Sequence, residues 1–483
     1  MLNRSTVGTG GPAAQGLDDA LFACLMARFG AFEPRARIAI AVSGGPDSMA
    51  LLALACRWAR ARAGSVVAIT VDHGLRGGSA DEAAEALKQA RQLGAECRLV
   101  RWDHEGAVAA VQARARDARY RLLDEACRDA GCLHLLVGHT WTDQVETAAG
   151  RCLSGSGPDG LAGMPPVRWL DHCRVLRPLL AVCRTATRSA CHRLGVAFVD
   201  DPSNVDSRFQ RVRLRTILTS PPDVGSRGPN AEPGDHPELA VMLGRTAGLM
   251  TRLRRIAETA AADLAARACL LRLGGAVSLD QDVLSPAPPV IVARMMAALL
   301  ASIGGRPYAP TIPPELVSAL MVPGAFTTVS RSGCLLRAAG RRVDPWCSEG
   351  QPILILRESG RLRHRIEGVT GSTHHWDRRF QVGPLPRDGQ IAALGPSAGA
   401  QAARHRPDLA CLPAAVRSAL PGLWSNGGRL VALPALDPRD GLAFGSFSPM
   451  LTLSEKQGMA VMPVAFRPAA PLVSCRFGVT GPS

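Results

Sequence analysis

The chain has 483 residues, more than one hydrophobic core usually serves, so two or three domains are expected. Hydrophobic residues make up 47% and aromatics only 4%, which leaves Ala, Leu and Val to fill most of the interior. The formal charge is +15, carried almost wholly by Arg because Lys88 and Lys456 are the only lysines, and such an excess suits a polyanionic partner.

Fourteen cysteines contain no Cys-x-x-Cys and sit singly in apolar patterns, the mark of reduced, buried thiols in a cytosolic protein. Asp18 and Asp19 precede the first apolar segment, unlike a secretion signal. No apolar run reaches membrane-spanning length, residues 289–303 being broken by Arg294. A cytoplasmic protein without membrane attachment is expected.

Residues 1–15, rich in Gly, Ser and Thr, read as disordered, and a helix is expected over 17–29. The apolar run Ile38-Ala39-Ile40-Ala41-Val42 then stops at Ser43-Gly44-Gly45-Pro46-Asp47-Ser48, where an Ala/Leu helix begins and continues to about residue 63. Strand, tight loop and helix N-terminus in succession make an anion pocket, since the first-turn N–H groups have no helical partner. Ser43 and Ser48 add hydroxyls, and Asp47 beside a polyanion suits magnesium or a centre of developing charge. No lysine stands in the loop, which excludes the Gly-x-x-x-x-Gly-Lys-Ser/Thr class.

Further on, strands are expected at 66–71, 98–102, 133–137 and 196–199, and helices at 81–93, 108–130 and 183–194. Ser79-Ala80-Asp81-Glu82 carries a capping-box pattern. This alternation predicts an α/β fold, a parallel sheet with helices on both faces and the chemistry in the loops after the strands.

Those loops hold the distinctive residues. After the second strand come Asp72, placed to grip a ribose or base, His73, either a surface histidine or a nucleotide contact, and Arg76, placed for phosphate. Arg116 and Arg119, one turn apart beside Tyr120, read most simply as a solvated basic face. After the fourth strand stands Gly138-His139-Thr140-Trp141-Thr142-Asp143-Gln144-Val145-Glu146-Thr147. Asp143 and Glu146, three apart on a helix, project from one face and suit magnesium, an ammonium group or a proton. Arg151 and the Gly-rich stretch 155–164 read as a mobile loop able to accept a nucleotide. Asp200-Asp201-Pro202-Ser203-Asn204 and then Arg211, Arg213 and Arg215 follow the last expected strand, where alternating arginines fit phosphates.

Ser-Gly-Gly-x-Asp-Ser after a strand resembles the pyrophosphate loop (PP-loop) of the ATP pyrophosphatase superfamily. Residues 43–48, 72–76, 119–120, 143–164 and 201–215 together resemble the ordered motif set of the tRNA(Ile)-lysidine synthetase family over about 35–216. The resemblance implies a PP-loop, adenine nucleotide α-hydrolase-like fold and a reaction of ATP, L-lysine and the tRNA(Ile) with the CAU anticodon. It assigns nucleotide binding to Ser43, Gly44, Gly45, Pro46, Asp47, Ser48, Asp72, His73 and Arg76, with Mg2+ at Asp47. It assigns catalysis to Asp47, Asp143, Glu146 and Arg119, and tRNA contacts to Arg151, Arg211, Arg213 and Arg215. The chain departs from the family pattern at Thr140, Thr142 and Val212, where His, Asp and Asn are usual.

The expected organisation is a catalytic domain at 16–220, a Pro/Gly linker at 221–237, a helical tRNA-contacting domain at 238–324 and a β-rich region at 325–483. Oligomeric state is open, a homodimer among the expectations. A thiolation enzyme with the same loop is the rival reading, disfavoured by the missing cysteine pair. A non-catalytic RNA-binding protein would not need the loop and the two acids together.

Overall fold

A computed structural model describes residues 16–72, 79–101, 111–199, 214, 238–306, 308–324, 326–339, 352–436 and 460–468, without the side chains of 79–82, 111–117 and 361. The first fifteen residues, the 221–237 linker, His73, Arg76, Arg211, Arg213 and Arg215 lie outside these. One compact unit ends at Arg254 and a second begins at Arg255.

In the first unit the elements run α1 (Asp19–Ala27), β1 (Arg37–Ala41), α2 (Pro46–Arg60), β2 (Ser65–Asp72), α3 (Ser79–Gln92), β3 (Glu96–Arg101), α4 (Val111–Asp129) and β4 (His134–Val137). They continue with α5 (Trp141–Leu153), α6 (Pro158–Leu161), β5 (Val167–Trp169), β6 (Arg174–Leu176) and α7 (Arg184–Leu194), and then α8 (Glu238–Ala268), whose residues up to Arg254 belong to this unit and the rest to the second. The six-stranded sheet has order β3-β2-β1-β4-β6-β5, parallel except for β5.

The alternation of β1 sorts the two faces. Ile38 and Ile40 join a core with Met49, Leu51 and Leu52 of α2, whereas Ala39 and Ala41 meet Tyr120 and Leu123 of α4 on the other side. Small strand residues there leave room for the aromatic ring. Leu51 and Leu52 have no exposure, and burying each such side chain contributes about 1.5–3 kcal/mol.

Strand order reverses about β1, with β2 on one side and β4 on the other. The loops after β1 and β4 therefore open side by side at the carboxyl edge, the switch point where α/β sheets hold ligands. At the opposite edge, Arg174 Nε donates to His134 Nδ1 at 2.8 Å, and His134 Nε2 lies 2.6 Å from Glu33 Oε2. This fixes the tautomer, with the proton on Nε2.

Two expectations are corrected. Residues 196–199 form no strand; Val196 and Phe198 pack on the core instead, while β6 takes the place beside β4. An apolar tetrapeptide is consumed by packing as easily as by a ladder, and three-residue strands such as β5 and β6 are too short to show a period. Within the stretch 238–324, expected to be helical, the first helix ends at Ala268 and Cys269–Arg272 continues as β7.

In the second unit, β7, β8 (Ala276–Leu279), β9 (Val329–Arg331), β10 (Cys334–Ala338) and β11 (Ile353–Arg357) form an antiparallel sheet ordered β7-β8-β11-β10-β9. Helices Pro289–Ile303 and Pro314–Met321 cover it through Met295, Leu299 and Leu320. A seven-stranded sheet follows, made of β12 (Ile366–Gly368), β13 (His374–Trp376), β14 (Phe380–Val382), β15 (Gly389–Ala393), β16 (Pro421–Trp424), β17 (Leu430–Leu436) and β18 (Ala460–Phe466). Asp377, just after β13, accepts from Arg357 Nε and Nη2 at 3.0 and 2.9 Å and from Arg379 Nε at 2.6 Å. Arg379 is 1% exposed, and burial brings its pKa down to about 10 against the pull of Asp377. Among the described residues no helix is long and apolar enough to cross a membrane.

Candidate active site

Gly44 has φ +80°, a conformation open to glycine, and turns the chain from β1 into α2. Gly45 is the N-cap residue, Pro46 supplies the preset φ of the first helical position, and Asp47 falls in the first turn. Ser48 Oγ donates to Gly45 O at 2.9 Å and accepts from Ser43 N at 3.2 Å, closing the loop on itself. Ser43 is exposed at the mouth and Ser48 is buried. Gly138, which ends β4's run, lies against this turn: a Cβ there would stand 3.0 Å from the carbonyl carbon and oxygen of Asp47 and the nitrogen of Ser48.

Two residues later Thr140 caps α5, and Asp143 Oδ2 accepts from both its N–H at 2.8 Å and its hydroxyl at 3.0 Å. Thr140, a departure from the family pattern, thus serves as a helix cap that orients the first acid. Asp143 and Glu146 are both buried on α5. Trp141, also on α5, packs so closely on α8 that a Cβ at Gly244 would lie 2.6 Å from its ring.

Arg184, at the start of α7, draws these pieces together. Its Nε donates to Asp47 Oδ2 at 3.0 Å and its Nη2 stands 4.0 Å from Asp143 Oδ1. Thr187, one turn on, donates to Asp47 Oδ1 at 2.5 Å. Burial raises the Asp47 carboxyl above the usual carboxylate range, and the opposing pull of Arg184 and Thr187 does not cancel it. For Arg184 the balance reverses. Burial alone would lower its pKa, but Asp47, Asp143 and Glu146 together outweigh it and the value is raised. Burial decides the direction at Asp47, and the three acids decide it at Arg184.

The Gly-rich stretch expected to be mobile is clamped. Gln144 Nε2 donates to Met164 O at 3.0 Å, and Met164 N donates to Gln144 Oε1 at 2.7 Å. Arg151 Nη1 donates to Gly160 O at 2.9 Å and Gly163 O at 3.3 Å, and Thr251 Oγ1 of α8 donates to Ala162 O at 2.9 Å. Gly163, at φ +63°, has room for no Cβ, since Gln144 Oε1 would be 2.6 Å away.

The sheet edge therefore brings together Ser43, Gly44, Gly45, Pro46, Asp47 and Ser48 with Asp143, and Glu146 shares the field of Arg184. Asp72 ends β2, one strand over, paired in register with Arg101. Arg119 is half-buried on α4. Its neighbour Tyr120 is structural: the hydroxyl accepts from buried Arg177 at 3.2 Å and the ring lies under the Arg168 guanidinium. Arg184, Thr187 and Gly244 carry no signal in the sequence, and Gln144 none of its role as a clamp. An arginine three residues before a threonine on an amphipathic helix signals nothing by itself.

Residues 21–221 match the family model of the PP-loop domain. A tRNA(Ile)-lysidine synthase of Bradyrhizobium sp. is 39% identical over 279 residues, 57% of this chain and 76% of that protein. One of Methylobacterium nodulans is 38% identical over 298 residues, 61% and 83% of the two chains. In one of Ruegeria pomeroyi the likeness runs through both units, at 33% identity over 417 residues, 85% of this chain and 91% of the relative. On that coverage, and with the PP-loop at the sheet's switch point, the chain belongs to the tRNA(Ile)-lysidine synthase family.

Proposed function

We propose that the protein ligates L-lysine to carbon 2 of the wobble cytidine in the tRNA(Ile) bearing the CAU anticodon, at the expense of ATP. The observation that carries this reading is the meeting of the PP-loop with the acidic face of α5 at one sheet edge, in a chain of this family. In the first step the cytosine O2 attacks the α-phosphorus and pyrophosphate leaves, giving an adenylated base. In the second the neutral lysine ε-amine attacks carbon 2, AMP departs with the former O2, and one of the amine's two protons passes to the site while the other stays on the new C–N nitrogen.

The α2 N-terminus and the hydroxyls of Ser43 and Ser48 hold the pyrophosphate. A weak carbonyl nucleophile needs alignment and charge neutralisation more than a protein nucleophile. Asp143 and Glu146 receive the lysine ammonium and take its proton, since only the neutral amine attacks. Arg119 and Arg151 are assigned to phosphate and RNA contacts, Arg151 through the loop it braces.

The donor set fits magnesium. Among the described residues no cluster of three His, Cys, Asp or Glu is arranged to hold a metal, but magnesium bound with a triphosphate usually takes one or two carboxylates. Asp47, with Asp143 beside it, would supply them, and the ion would neutralise charge on the leaving pyrophosphate. The test is incubation with labelled lysine, ATP and mixed tRNA: label entering tRNA with AMP release supports the reading, and sulfur transfer without lysine transfer overturns it.

A further inference from the structure

A guanidinium in the first turn of a helix faces the positive end of the helix dipole, so anions must hold it there. Arg184 has three within its field. Nε donates to Asp47 Oδ2 at 3.0 Å, Nη2 is 4.0 Å from Asp143 Oδ1, and Glu146 adds its attraction. Both Asp47 oxygens are thereby engaged, Oδ1 by Thr187 and Oδ2 by Arg184. Asp143 Oδ2 is spent on the α5 cap, which leaves Oδ1 as the oxygen facing Arg184. Only 27% of the Arg184 side chain is exposed, so water screens these charges weakly. The carboxylates that a nucleotide's cation would use already carry one supplied by the protein.

We propose that Arg184 is a resident counter-cation: it neutralises Asp47 and Asp143 in the ligand-free protein and gives way to the divalent ion that arrives with ATP. Its guanidinium is then released toward the triphosphate, so one side chain keeps stray metal out of the empty site and adds positive charge to the filled one. The proposal rests on reading this cluster as the nucleotide site. It does not depend on which nucleophile or RNA follows.

The alternative is a structural strut that merely joins α7 to α2. The two differ in metal binding without nucleotide, measured with Mn2+ alone by electron paramagnetic resonance on the full chain. Wild type should bind Mn2+ weakly. Arg184→Gln and the stem-preserving Arg184→Met should each bind it about tenfold more tightly, as expected for removal of one unit charge 3–4 Å from the carboxylates. Arg184→Lys, which keeps the cation, should remain weak, and adding Asp47→Asn to Arg184→Gln should abolish the gain. A strut predicts no gain in any variant, only a lower melting temperature. Unchanged or weaker Mn2+ binding in folded Arg184→Gln or Arg184→Met, or an equal gain in Arg184→Lys, overturns the proposal. If the ligase reading itself is wrong, wild type fails to transfer lysine while the Mn2+ series stands.

Discussion

Gly138 packs against the backbone of Asp47 so closely that a methyl group at 138 would lie 3.0 Å from its carbonyl carbon. The loop after β4 is thus seated directly on the first turn of α2. Gly138→Ala should push that turn aside. The expected result is a drop of about ten- to a hundredfold in kcat/KM for ATP, with about 1–3 kcal/mol lost in stability, the usual cost of overpacking. Steady-state kinetics and urea unfolding on the same preparation separate the two; unchanged ATP kinetics would refute the contact's role.

The amide of Gln144 makes two complementary bonds to Met164 and fixes the Gly-rich loop. Gln144→Leu leaves a buried N–H and a buried C=O unsatisfied, each worth about 1–3 kcal/mol. Faster proteolysis and hydrogen exchange within residues 155–164 are expected, with little change elsewhere. Wild-type protection in that segment would show that the clamp is not what orders it.

In the second unit, Asp377 is the counter-charge for Arg357 and the fully enclosed Arg379. Asp377→Ala strands a buried cation, so a loss of about 3–5 kcal/mol is expected. Denaturant unfolding should report it, and a loss below about 1 kcal/mol would mean that solvent reaches Arg379.

Burial holds the His134 imidazole below its ordinary value of 6.5, and the Arg174 Nε–H aimed at Nδ1 leaves no place for a second proton. The unfolded chain therefore takes the proton first. Stability from this group is full above the ordinary value and is lost as pH falls from there toward the folded value. Unfolding free energies at several pH values across that range should slope accordingly, and His134→Gln should flatten the slope; an unaltered slope would assign it to another group.

How much of this was open to a reader of the sequence follows from where each signal sits. Strand, glycines and helix start are contiguous over Ile38 to Ala55, so the loop and its anion preference could be read locally. Asp143 and Glu146 were legible because helical spacing puts them on one face. Arg184 was not: it lies 137 residues from Asp47, and pairing at that separation is decided by how α7 packs on α2. Glycines at 155–163 suggested mobility because the residue that restrains them, Gln144, belongs to the preceding helix. The run at 196–199 misled because four apolar residues satisfy a strand and a packed coil equally well.

The proposed reaction cleaves ATP between its α- and β-phosphates at the turn after β1 and requires Asp47. A single-turnover experiment with the tRNA and doubly labelled ATP tests it most directly. Pyrophosphate should appear before lysine is added, AMP only afterwards, and Asp47→Ala should lower the first step by at least about a thousandfold, about 4 kcal/mol of barrier. Release of orthophosphate and ADP, or full pyrophosphate release by Asp47→Ala, would rule out adenylation at this loop.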